Sequence, residues 1–196
     1  MANVNSPFGL RPVKTMSGGF TGRVIRCYAP SSDGNAMYVG DPVLWGGSAD
    51  ASGEAPTITI CTAGATNKIF GIIVGFDVDH TNLTYTYRPA STARYVHVLI
   101  PTEDTVFEVQ DDGSAVLTVD NVGSNANLVA GSGGSTTSGL SSWMLDATTP
   151  GSDATYQVTI IGASSRVDNE AGAAYCKWLV TVNLRSLLPG VAALTV

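Results

Sequence analysis

The stretch Ala154-Thr155-Tyr156-Gln157-Val158-Thr159-Ile160 alternates apolar and polar side chains without a break. Successive residues of a strand point to opposite faces of a sheet. A period of two therefore puts Ala154, Tyr156, Val158 and Ile160 on one face and Thr155, Gln157 and Thr159 on the other, which predicts a half-buried strand.

The same period recurs on either side. Thr57-Ile58-Thr59-Ile60-Cys61, Thr105-Val106-Phe107-Glu108-Val109-Gln110 and Lys177-Trp178-Leu179-Val180-Thr181-Val182-Asn183 also predict half-buried strands. Arg94-Tyr95-Val96-His97-Val98-Leu99-Ile100 alternates but is apolar enough to predict burial on both faces, and so is Ile69-Phe70-Gly71-Ile72-Ile73-Val74-Gly75-Phe76, whose internal glycines predict bulges. Turn signals at Asp33-Gly34, Ser52-Gly53, Asp112-Gly113 and Pro150-Gly151 separate the runs. Helix is limited to a turn or two near Asp168-Asn169-Glu170-Ala171 and Leu184-Arg185-Ser186-Leu187-Leu188. The expected fold is all-β, a barrel or jelly-roll-like sandwich with very little helix.

Residues 1–21, with Pro7, Pro12 and Gly18-Gly19, read as an extended N-terminal arm, and 22–196 as a single β domain. Within it, residues 131–139 (GSGGSTTSG) have no apolar anchor and predict a flexible loop or strand edge. The apolar tail from Leu187 to Val196 predicts a last core strand or an oligomer interface.

The chain has 196 residues, 44% of them hydrophobic, enough to bury a core without disulfides. Cys27, Cys61 and Cys176 are odd in number and sit among apolar neighbours, as small buried hydrophobes do. Only 13% of residues are charged and the net charge is -6, so Ser, Thr, Asn and Gly must cover much of the surface. An acidic chain is poorly suited to bind phosphate backbones, so no direct nucleic-acid partner is expected. Nor is a membrane partner, since no apolar run approaches about 18 residues. Residues 1–32 hold Arg11, Lys14, Arg23 and Arg26 and no acid, so a basic arm leads an acidic body. Such asymmetry marks an interaction tail, docked on another protein or folded back on its own domain or a sister subunit.

Enzyme chemistry finds little footing. His80 and His97 match no zinc spacing, and His97 is expected to be a hydrogen-bonded core residue. No Gly-x-Ser-x-Gly elbow or phosphate-cradling loop occurs. The pairs Glu103-Asp104 and Asp111-Asp112 read as solvated turns, and Asp77-Val78-Asp79-His80-Thr81-Asn82 lacks the glycine and glutamate of a calcium loop. No catalytic residue, metal site or cofactor is expected.

Short phrases spread along the chain carry the remaining information: Ser6-Pro7-Phe8-Gly9-Leu10-Arg11-Pro12-Val13, Val39-Gly40-Asp41-Pro42-Val43, Tyr87-Arg88-Pro89-Ala90-Ser91-Thr92-Ala93-Arg94-Tyr95-Val96, Val122-Gly123-Ser124-Asn125-Ala126, and Val167-Asp168-Asn169-Glu170-Ala171-Gly172 ahead of Trp178-Leu179. Together they resemble a family of tailed-bacteriophage structural proteins, the head decoration or capsid cement proteins. The resemblance implies a β body without cofactor or active site that adds to the outer surface of the virion capsid. Its partners would be the major capsid protein and its own copies, as a dimer or trimer. Phe8, Leu10, Arg11 and Lys14 of the arm are the candidate docking residues, because aromatic anchors and arginine are enriched at interface hot spots. Removal of residues 1–14 is then expected to leave a folded body that no longer decorates heads. Two alternatives stand beside this: another virion component (tail-tube, head-completion or fibre-associated), and a carbohydrate-binding module with Tyr85, Tyr87, Tyr95, Trp143 and Trp178 as a sugar platform.

Overall fold

A computed structural model describes residues 3–18 and 22–187. The Leu187–Val196 tail apart from its first residue lies outside them. The fold is all-β, and the one helical element described is a single 3-10 turn at Val119–Asn121.

Two bodies share the chain. Strands β2 (Val24–Ala29), β3 (Pro42–Ala49), β4 (Pro56–Ile60), β5 (Gly71–Phe76) and β6 (Arg94–Leu99) close a barrel in the order β2-β4-β3-β5-β6. Strands β1 (Arg11–Thr15), β7 (Thr105–Gln110), β8 (Asn125–Ala126), β11 (Val158–Ala163) and β12 (Lys177–Val182) form an open antiparallel sheet in the order β1-β7-β12-β11-β8. A two-stranded ribbon, β9 (Leu128–Val129) with β10 (Met144–Leu145), completes the fold. The chain is therefore a closed barrel with a second sheet packed against it, within the expected all-β class.

Alternation explains both cores. In β2 and β6, Cys27, Ala29, Val96 and Val98 point into the barrel to meet Val43, Ile58, Phe70 and Ile73. Leu99 and Ile72 face the opposite way, and with Ile69 they meet the inner face of the sheet, where Phe107, Val109, Val158, Ile160, Trp178 and Val180 lie. The sheet thus packs on the outside of the barrel. The expected bulge in β5 is present as a register shift between Ile73 and Gly75.

The strand expectations change in several places, among them β12, where Lys177 and Thr181 on the face expected to be solvated are buried. The deciding stretch 154–160 is a turn up to Tyr156, and its strand begins only at Val158. Strand β7 is buried on both faces, because the arm and the 164–170 segment cover its polar side. Strand β6 is half-exposed, since its outward residues Tyr95 and His97 lie on the barrel exterior.

The arm is part of the body. Strand β1 pairs with β7 at the sheet edge, and Leu10 is fully buried in the core. Pro12, Arg11 and Lys14 on this edge are the residue types that discourage a foreign strand from adding there. The 131–139 loop is also tied down. The Val39 amide donates to the Gly139 carbonyl (2.9 Å), the Ser141 amide to Val39 (2.9 Å), and the Ser135 amide to Leu140 (2.9 Å). A β-carbon on Gly134 would lie 2.2 Å from the Tyr38 ring, so the absence of a side chain there lets the loop lie against Tyr38.

Candidate partner-binding surface

Of the four candidate docking residues, Leu10 is core. Phe8 is half-buried beneath the Arg11 guanidinium, which sits 5.1 Å from its ring centroid, while Arg11 also pairs with Glu108. Lys14 is exposed. Phe8, Arg11 and Lys14 therefore lie together around the β1 edge, with Leu10 beneath as their anchor.

The outer face of the sheet next to this edge is a network of charges. Glu108, 1% exposed, receives Arg11, Arg166 (3.5 Å) and the Ser164 hydroxyl. Arg166 extends the network to Asp168 (2.9 Å), which also meets Lys177 (3.5 Å). Beside it, Gln110 is clamped by the Ser6 amide (2.9 Å) and the Asn5 side chain (2.9 Å). The basic arm has folded back onto its own acidic body.

On the barrel exterior, Arg26 stacks on Tyr95 at 3.5 Å and pairs with Asp77 (2.7 Å), and the Tyr95 hydroxyl donates to Asp50 (2.9 Å). His97 meets Asp77 at 2.8 Å. Burial pulls the Asp77 carboxyl up, but the hydrogen bonds and charges of Arg26 and His97 outweigh it and hold it below its ordinary value. The expected core histidine is thus a partly exposed surface residue on a convex strand face. His80 is exposed on the neighbouring loop, where Asp79 accepts from the Thr81 amide (2.8 Å) and hydroxyl (2.6 Å) as a structural turn.

Asp111 departs furthest from its expected place in a solvated turn. It is fully buried and accepts from Trp178 Nε1 (3.0 Å) and from the amides of Tyr175 (2.7 Å), Cys176 (3.1 Å) and Gly113 (3.1 Å). Burial raises its carboxyl above the ordinary value, and these donors pull against that rise. All three cysteines are free and buried, as their neighbours suggested. Trp143 and Trp178 are core residues, which removes two of the five aromatics from a sugar platform. Tyr87 instead stacks on Tyr38 (5.0 Å) and meets the edge of Tyr85 (5.7 Å). No helix among the described residues is long and apolar enough to cross a membrane.

At the seam between the arm, the barrel and the 131–142 segment the backbones are tied directly to one another. The Leu10 amide donates to the Gly40 carbonyl (2.9 Å), and the Gly40 amide to Ile73 (2.8 Å). Met37 and Arg88 exchange backbone hydrogen bonds in both directions (2.9 Å each). The Arg88 side chain, fully buried, gathers the carbonyls of Pro30, Asp33, Asn35 and Thr92. Gly9 has φ +72°, and a β-carbon there would lie 2.5 Å from the Gly40 carbonyl oxygen and 2.6 Å from Ser141 Cβ. Gly9→Ala is therefore expected to cost about 2 kcal/mol or more in a denaturant melt. Gly133→Ala, with φ +100° but nothing within 4 Å, serves as the milder control.

Asp41 sits in the same seam, 3% exposed, accepting from the Tyr38 amide (2.7 Å) and the Ser141 hydroxyl. Burial pushes its carboxyl from 3.8 up to about 6 against the pull of those two donors. The folded state therefore holds this proton more tightly than the unfolded chain does. Its stabilising contribution is full below the unfolded value and is lost as the pH rises through about 6. The loss is at most about 3 kcal/mol. Melts of the parent and Asp41→Asn chains should accordingly differ in their pH slope between pH 4 and 7, with the parent losing stability relative to the variant as pH rises. Parallel slopes would show that Asp41 titrates normally.

Among protein-family models, curated proteins and solved structures, none matches the chain.

Proposed function

We propose that the chain is a structural virion protein that decorates and cements the outer surface of a tailed-phage capsid, bridging neighbouring subunits of the major capsid protein as a dimer or trimer. The observation that supports this most is the position of the phrases that carry the resemblance. Residues 6–13 and 39–43 meet at one seam, where Leu10 bonds to Gly40, and Arg88 of 87–96 bonds to Met37, three residues before Gly40. At that seam Gly9 and Leu10 tie the arm to Gly40 of the barrel while the Leu10 side chain enters the core beneath the sheet, and Arg88 ties the loop carbonyls of Pro30, Asp33, Asn35 and Thr92 together. A bridging protein needs such a seam, because a body that flexes between its two halves transmits no restraint between the subunits it joins. The lightly charged, hydroxyl-rich exterior suits adhesion to protein, and linking several copies raises the effective concentration of each further contact.

The docking face in this reading is the β1 edge, with Phe8, Arg11 and Lys14. Purified chain mixed with expanded shells lacking accessory proteins is expected to co-sediment saturably and to raise the temperature at which the shells come apart. Lys14→Glu, on a side chain free of core packing, is expected to weaken that binding without changing the melting temperature of the chain. Failure of the parent chain to co-sediment would refute the cement role. Undiminished binding by Lys14→Glu would move the docking face away from this edge.

A further inference from the structure

An open trough of about 550 Å³ lies where the barrel meets the 131–139 loop, lined by Tyr38, Asp41, Ile60, Cys61, Trp143 and the loop glycines. Three features of it point to one kind of occupant. Along one side run Gly131, Gly133 and Gly134, with Ser132 between them, and the backbone amides and carbonyls of these four residues make no hydrogen bond among the described residues. Unpaired backbone of this kind offers free donors and acceptors to an incoming extended segment, although the left-handed turn at Gly133 (φ +100°) keeps the run from acting as a regular strand edge. It is also bare, since three of its four residues lack side chains, and Gly133 faces open space.

The second feature is charge. Asp41 is the one ionisable carboxylate lining the trough, and no lysine, arginine or histidine lines it. Among the described residues Asp41 forms no ion pair, and its partners are the neutral Tyr38 amide and Ser141 hydroxyl. A buried charge without a counter-ion is costly, so a cation that arrives beside it gains more than one on the open surface. The third feature is the apolar wall of Ile60, Cys61 and Trp143, against which the methylene stem of a long basic side chain can lie.

We propose that this trough binds an extended polypeptide segment of a partner protein, which hydrogen-bonds to the free backbone groups of 131–134 and places a lysine or arginine against Asp41. The chemistry is independent of the capsid assignment, because the trough asks for backbone pairing and a cation whichever protein supplies them. The elevated carboxyl of Asp41 fits an uncompensated charge.

The test is an NMR titration of the folded chain with two blocked heptapeptides of alternating valine and threonine, one with a central lysine and the other with norleucine in its place. The lysine peptide is expected to shift the amides of 131–134, to slow their hydrogen exchange, and to bind about tenfold more tightly than the norleucine peptide, a difference of about 1.4 kcal/mol. Asp41→Asn keeps an acceptor for the Tyr38 amide and is expected to abolish the preference. Equal binding of the two peptides to the parent chain, shifts confined to another face, or no binding would each overturn the proposal, and the parent titration decides it even if the variant fails to fold.

Discussion

Asp111→Ala is expected to lower the stability of the chain by about 3–5 kcal/mol, the largest effect of any single substitution considered. The carboxylate serves four N–H donors at once, and the Trp178 and Cys176 groups among them are fully buried. Each buried donor left without a partner costs about 1–3 kcal/mol, discounted where water can reach the vacated space. At this chain length a loss of that size lowers the melting temperature by about 10 °C. Asp111→Asn should fall between, because its carbonyl oxygen can still accept from one side while its amide turns a donor toward the others. A calorimetric scan of the three proteins checks the ranking. An alanine variant that melts with the parent would mean that the donors find new partners and that Asp111 does not organise the sheet.

Removal of residues 1–14 should also be severe, and here the structure reverses the expectation drawn from the sequence alone. The deletion takes away the fully buried Leu10, most of β1, the Arg11 partner of buried Glu108 and the Asn5 and Ser6 clamps on Gln110. Truncation of a single buried leucine costs about 2–5 kcal/mol. With the strand and the two buried polar partners added, the shortened chain is expected to melt more than about 10 °C lower or to aggregate on expression. Loss of capsid binding by such a truncation would report unfolding rather than docking, which is why Lys14→Glu is the sharper probe. A truncated chain with an unchanged melting temperature would restore the arm as a separate appendage.

The strands were legible because alternation is a local property. The runs at 57–61, 105–110 and 177–183 are strands within a residue or two of where the pattern puts them, and the glycines of 69–76 mark a real bulge. What the pattern misses is the second covering of a sheet face. Glu108 and Gln110 alternate with Val109 as solvent-facing residues should, yet the arm and the 164–170 segment close over them. Gln157 is the same case. It belongs to the polar face of the deciding stretch, but it is fully buried and its amide ties Thr62 (3.1 Å), Gly64 (3.1 Å), Asn67 (3.1 Å) and Leu128 (3.2 Å) together.

The candidate site was legible only in part. Pro7, Pro12 and the basic charge mark the described part of this segment, residues 3–18, as non-helical, but the pairing of Arg11–Thr15 with β7 depends on partners about a hundred residues away. Leu10 looks like an anchor for a foreign surface because nothing nearby in sequence shows the core it enters. The trough beside Asp41 has a fainter signal still. A glycine-rich run reads as a tether, and only the position of Tyr38 turns it into the wall of a groove.

The most direct test of the cement role is an image reconstruction of particles assembled with and without this chain. A cement protein gives density at repeated lattice positions over the outer surface, each copy touching more than one capsid subunit, and leaves a bare shell when it is withheld. Density confined to the tail axis or a single vertex, or a shell unchanged by its omission, would contradict it.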